Sequence, residues 1–160
     1  INLRPFRGLK PEAFEHDLQI NFISLVKVIQ SVLPNLTASN QSSIVLFSSV
    51  AASMGMPFHT SVAAAKGAIE GFAKALAAEY APKVRVNVIA PSLTDTPLAE
   101  KFLSNEEKKE KSAQRHPLKR VGTSDDMAQM ASFLLSEKSS WISGQIFHVD
   151  GGMSTLLTNQ

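Results

Sequence analysis

The chain has 160 residues, 44% of them hydrophobic and 19% charged, which supports one folded core and excludes both wholesale disorder and two packed domains. Its 16 Lys plus Arg against 14 Asp plus Glu leave a formal charge of +2, too small to serve as a footprint for nucleic acid or an anionic membrane. With no cysteine there is no disulfide framework, thiolate nucleophile or cysteine-ligated metal, and the composition suits a cytoplasmic protein.

From Pro11 to Leu33 the residues Phe14, Leu18, Leu25, Val28 and Val32 recur at helical spacing behind a proline preset for a first turn. This predicts a long amphipathic helix ended by Pro34. Thr37 to Ser42 is turn material leading into SIVLFSS (Ser43 to Ser49), which reads as a buried strand. The longest uncharged stretch, Val28 to Ala65, is broken by polar residues, Gly and Pro and does not read as a membrane span.

After Gly55 and Pro57, the alanine-rich run Ser61 to Glu79 carries Val62, Ala65, Ile69, Phe72 and Leu76 along one face. A second long helix is expected there, capped by Thr60 or Ser61. Val84 to Ala90 is a second strand, stopped by Pro91. Pro97 to Arg115 holds the charge run EEKKEK, a solvated helix or lid face. Thr123 to Asp126 has capping-box spacing with Asp in place of the usual Glu and opens a third helix to about Glu137; Gln145 to Asp150 is the last strand.

Strands alternating with long helices imply an α/β fold with a parallel sheet. Three strands make a small one, SIVLFSS has the character of an interior strand, and residues 1–10 offer no strand to pair with it. The chain opens on Ile rather than Met. The expectation is therefore a single portion of a larger doubly covered sheet, lacking its N-terminal side.

Four residues stand out chemically. Asn21 lies on the apolar stripe of the first helix, where an unpartnered amide costs about 1–3 kcal/mol, so it needs a partner; a backbone carbonyl at a helix kink is one answer. Ser49 closes the first strand, and ligands of open α/β sheets bind off such strand ends, although a serine there also satisfies turns. Lys66 sits among Ala63, Ala64, Ala65 and Gly67, a lone cation in a small-residue helix. His59, Val62 and Lys66 project from nearly one face.

In order, the chain presents Asn21 within LQINF, then IVLFSSVAASMG with Ser49, then Lys66 in AAAKGAIEGFAKALAAEYAP, VRVNVIAPSLTDTPL, and HPLKRVGTSDDMAQMASFLLS followed by SGQIFHVDGG. These segments resemble the second half of a short-chain dehydrogenase/reductase, from about Leu9 to Met153. The resemblance implies a Rossmann-like three-layer fold and hydride transfer between NAD or NADP and a ketone or secondary alcohol. It implies that Ser49 hydrogen-bonds the substrate oxygen, that Lys66 holds the nicotinamide ribose, and that Asn21 anchors a proton-relay water. Pro91, Leu93, Thr94 and Thr96 then form the loop that meets the carboxamide. It also implies a homodimer or homotetramer built on the two long helices, a small-molecule substrate, and neither metal, nucleic acid nor membrane.

Two departures qualify this picture. The family's proton-donating tyrosine falls at Val62, which has no proton to give; loss of a general acid costs about 10²–10⁴-fold in rate. His59 lies seven residues before Lys66, where the enoyl reductases of the same superfamily carry their tyrosine, and an imidazole is chemically able to serve there. The second departure is the lack of a glycine-rich strand-to-helix turn to seat a pyrophosphate, so these residues alone are expected to bind a dinucleotide weakly or not at all. The alternative to an oxidoreductase is a non-catalytic homologue acting as a nucleotide-binding or dimerisation scaffold.

Overall fold

The computed structural model describes residues 3–39 and 41–158. Helix α1 (Pro11–Leu18) runs through a π-helical turn (Gln19–Ile23) into α2 (Ser24–Ala38). Strand β1 (Ser42–Phe47), helix α3 (Thr60–Tyr80) and strand β2 (Val84–Pro91) follow. The C-terminal part holds β3 (Thr94–Asp95), α4 (Glu106–Gln114), β4 (Gly122–Thr123), α5 (Ser124–Leu135) and β5 (Ile146–Val149).

The sheet is parallel with order β1-β2-β5, in register from Ser42 opposite Val84 to Phe47 opposite Ile89, and from Val88 opposite Ile146 to Pro91 opposite Val149. Because side chains alternate along a strand, β2 feeds both faces. Val84, Val86 and Val88 pack with Leu46 under Ile69, Ala73 and Leu76 of α3, while Ile89 packs with Met127 and Leu134 of α5. Leu134 and Val86 have no exposed surface. Asn87 is also fully buried and is satisfied by donating to the Ile142 carbonyl at 2.9 Å and accepting from the Gln145 N–H at 3.1 Å. The three-layer α/β architecture is thus the expected one.

Several boundaries differ from the sequence reading. Pro34 does not end the first helix: the helical run continues through it to Ala38. A proline lacks an N–H and clashes with the preceding turn, and this helix accommodates it on its exposed side four residues before its end. Neither Thr60 nor Ser61 caps α3; the cap position is His59, with no side-chain cap bond, and Ser61 is buried with its Oγ unpartnered. β1 ends at Phe47, so Ser48 and Ser49 lie beyond the ladder, and its residues are mostly half-buried, with Phe47 exposed. Among the described residues β1 pairs with β2 alone, which leaves its other edge without a strand.

The charge run forms α4, begun by the Asn105 side chain accepting from Lys108 N at 2.8 Å. The capping box at Thr123 and Asp126 forms as expected. The two-residue pair β3–β4 was not foreseen, because two residues carry no periodicity. Pro11–Ala38 is long and apolar enough to cross a membrane by length and mean hydropathy, although Lys27 interrupts its uncharged run. In the fold, α1 packs on α3, while Ile20, Val28 and Val32 remain exposed.

Candidate active site

Strands β1 and β2 point their carboxyl ends at one cleft of about 580 Å³. Its first wall comes from the end of β1 and the start of α3: Phe47, Ser49, Val50, His59 and Val62. Its second wall comes from the loop after β2, Pro91 to Thr96, backed by His116 and Met153. Parallel strands end together, so residues just past them converge without being near in sequence.

Ser49 accepts the Ala51 N–H at 3.2 Å, which opens a 3₁₀ turn (Val50–Ala52) and leaves the Ser49 hydroxyl proton without an acceptor among the described residues. Its neighbour Ser48 has the opposite fate: it is buried and donates to Glu70 Oε1 at 2.6 Å, an interaction with no sequence signal. Lys66 Nζ donates to the Phe47 carbonyl at 3.0 Å, at the tip of β1, and burial holds its ammonium below the ordinary lysine range. An ammonium has three donors, so two remain for a ligand.

His59 Nδ1 is 2.7 Å from the Pro57 carbonyl, and because a carbonyl only accepts, this nitrogen carries the proton and Nε2 is the one left for the cleft. Val62 lines the cleft at the position where the family resemblance calls for tyrosine. Asn21 lies in the π-helical turn, where its Nδ2 donates to the Asp17 carbonyl at 2.9 Å. That is the kink partner the sequence allowed for, and Asn21 is not among the cleft-lining residues. Ser49, His59, Pro91, Leu93, Thr94 and Thr96 thus share one cleft; Lys66 reaches its edge through Phe47, and Asn21 does not line it.

The loop after β2 is held tightly. Gly122 N donates to the Leu93 carbonyl at 3.0 Å, and Thr94 Oγ1 donates to the Ser92 carbonyl at 3.0 Å. Sequence reasoning missed a pair here: Ser92 Oγ lies 2.9 Å from His116 Nε2, and His116 Nδ1 lies 2.9 Å from the Ser112 carbonyl. A lone serine and a lone histidine twenty-four positions apart give no pattern to detect.

The residues present fit the nicotinamide end of a dinucleotide. Lys66 offers free donors, Thr94 and Thr96 offer hydroxyls, and the wall between them is apolar. They do not fit the pyrophosphate end: Gly8, Gly55, Gly67 and Gly71 have no atoms within 4 Å of a built Cβ, so none marks a close backbone cradle. Among the described residues no cluster of His, Asp or Glu could hold a metal.

A family model described as enoyl-(acyl carrier protein) reductase matches residues 2–154. The 3-oxoacyl-[acyl-carrier-protein] reductase of Thermotoga maritima is 36% identical over 146 residues, covering 91% of this chain and 58% of its own length. The inactive 2-(S)-hydroxypropyl-CoM dehydrogenase 2 of Xanthobacter autotrophicus is 33% identical over 150 residues, covering 91% of this chain and 65% of its own. The gluconate 5-dehydrogenase of Burkholderia cenocepacia, solved with NADP and tartrate, superposes with a TM-score of 0.90 at 26% identity, over 98% of this chain and 62% of that one. The chain therefore spans less than two thirds of the length of these relatives. Fold, motif order and sequence agree, and the chain belongs to the short-chain dehydrogenase/reductase family.

Proposed function

We propose that this chain is the C-terminal portion of an NAD- or NADP-dependent oxidoreductase acting on a ketone or secondary alcohol. The observation that carries the reading is the cleft at the strand ends, where Ser49, whose hydroxyl proton has no acceptor among the described residues, shares the lining with the loop from Pro91 to Thr96. When bound, a nicotinamide supplies or accepts the hydride. Ser49 donates to the substrate oxygen, stabilising the charge that develops there. Lys66, fixed on the Phe47 carbonyl, presents its remaining N–H groups to ribose hydroxyls, and the Thr94 to Thr96 segment receives the carboxamide. The pyrophosphate seat lies outside these residues, which makes the dinucleotide site a property of a longer chain.

Val62 leaves the family's proton-donor position empty. His59 is one candidate replacement, through Nε2, and His59→Ala removes turnover if that role is real. A homodimer or homotetramer packed on the exposed face of the Pro11–Ala38 helices and α3 covers Ile20, Val28 and Val32, and a cytoplasmic location suits a protein of this family. Sedimentation of a monomer alone at high concentration refutes that assembly.

The deciding experiment measures NADPH and NADH oxidation with a panel of ketones in the full-length protein and in its Val62→Tyr variant. A gain of about 10²–10⁴-fold on restoring the tyrosine is expected. If the cofactor binds and both proteins stay inert, the alternative of a non-catalytic scaffold stands in its place.

A further inference from the structure

Two cavities meet at His116. Beside the main cleft lies a second cavity of about 250 Å³, and Ser92 and His116 line both. His116 is 3% exposed, so its ring forms part of the partition between them. Its Nδ1 faces the Ser112 carbonyl at 2.9 Å and its Nε2 faces Ser92 Oγ at 2.9 Å; Ser92 Oγ in turn lies 3.0 Å from Met153 Sδ. The Ser112 carbonyl only accepts, so Nδ1–H donates to it, and the contact with Ser92 follows the charge of the ring: Nε2 of the neutral ring accepts from the Ser92 O–H, whereas Nε2–H of the imidazolium donates to Ser92 and turns the Ser92 O–H to Met153. In the charged form the donors therefore run from the imidazole toward the cleft, ending on a weak acceptor that a charged oxygen readily displaces.

The geometry points to Ser92 and His116 as a proton-delivery pair for the cleft, a reading that rests on the hydride-transfer function proposed above. As a substrate carbonyl is reduced by hydride from a nicotinamide dinucleotide, its oxygen becomes an alkoxide. The Ser92 Oγ–H bond breaks and that proton moves to the alkoxide, giving the alcohol. Ser92 Oγ takes the Nε2 proton of the His116 imidazolium, which becomes the neutral ring with its Nδ1–H still on Ser112. Water in the second cavity returns the proton to His116. The charged and titratable groups around this route are His59 and Arg115 in the cleft, and Arg120, Asp126, His148 and Asp150 in the second cavity. Arg120 and Asp126 neutralise each other, and hydrogen bonds from Ser154 and Gly152 outweigh burial in holding Asp150 below the ordinary carboxylate range, which keeps an anion on the imidazole side. Ser92 is the catalytic residue in this scheme and His116 positions and recharges it, supplying what Val62 lacks.

The test uses the full-length protein. Ser92→Ala and His116→Ala are expected to lower kcat for ketone reduction by about 10²-fold or more, with the calorimetric Kd for NADP(H) unchanged. Added imidazole is expected to restore the His116→Ala variant and leave Ser92→Ala inert. In the Val62→Tyr background, where the tyrosine competes for the same task, the cost of Ser92→Ala falls below about tenfold. A readout independent of turnover is imidazole ¹⁵N NMR of the cofactor-free protein, in which Ser92→Ala moves the Nε2 resonance of His116 and leaves Nδ1 in place. An equal cost of Ser92→Ala in both backgrounds, or failure of imidazole to rescue, overturns the pair. So does a wild-type protein that is inert where Val62→Tyr turns over, and that result leaves the proposed function standing. Inactivity of both with cofactor bound overturns the proposed function as well.

Discussion

The two walls of the cleft come from successive strand ends and are anchored on opposite faces of the sheet. The wall after β1 rests on α3 through Leu46, Ile69 and Ala73, and it presents Ser49 and Lys66 with no tyrosine between them. The wall after β2 rests on α5 through Ile89, Met127 and Leu134, and it presents a hydroxyl already joined to an imidazole. The difference teaches that a cleft with valine where the family carries its tyrosine still holds a hydroxyl–imidazole pair on its other wall. The parallel sheet brings an independent loop to the same place.

The largest effect expected from breaking this arrangement is Leu134→Ala. It removes a fully buried side chain under the second wall and should cost about 2–5 kcal/mol in urea unfolding. A loss below 1 kcal/mol would show that the second wall does not depend on the α5 face. Next comes Ser48→Val, which leaves Glu70 without the donor that ties β1 to α3 and should cost about 1–3 kcal/mol by the same measurement. Its effect belongs to the first wall, so it should leave the His116 ring resonances unmoved.

Gly152 has φ of +84° beside the second cavity, and a Cβ there would meet Leu156 Cδ1 at 2.7 Å. Gly152→Ala should cost about 1–2 kcal/mol, most of it from left-handed backbone rather than from the flexible leucine, which Leu156→Ala in the same background would confirm by failing to relieve it. The smallest effect concerns pH. The Arg120 guanidinium, with the Thr123 N–H and O–H, holds the Asp126 carboxyl well below the usual carboxylate range. A carboxyl depressed in the folded state stabilises it above the unfolded pKa of about 4 and loses that contribution as pH falls. Thermal scans from pH 7 to pH 3 should show a shallower decline for Asp126→Asn than for wild type, and parallel curves would remove Asp126 from the account.

Much of the site was legible because its segments carry strong local patterns. Strand β2 is β-branched and stopped by Pro91, α3 is alanine-rich around Lys66, and the Thr123 and Asp126 spacing closed the box it predicted. The helix-ending role given to Pro34 and the cap given to Thr60 or Ser61 were wrong, because each rests on a one-residue rule that neighbouring packing overrides. Ser48 and Ser49 show the limit most plainly: two identical side chains, adjacent in sequence, differ because one turns under α3 to Glu70 and the other turns into the cleft.

The sequence by itself determined the alternation of strands and helices, the family, and the absence of a tyrosine at position 62, since these depend on residue type and spacing along the chain. Only the tertiary structure decided that Asn21 bonds to its own helix, that Ser92 meets His116, and that this pair stands between two cavities. Those facts depend on loops from separate strand ends approaching within hydrogen-bond distance, and no periodicity in a linear chain encodes such an approach.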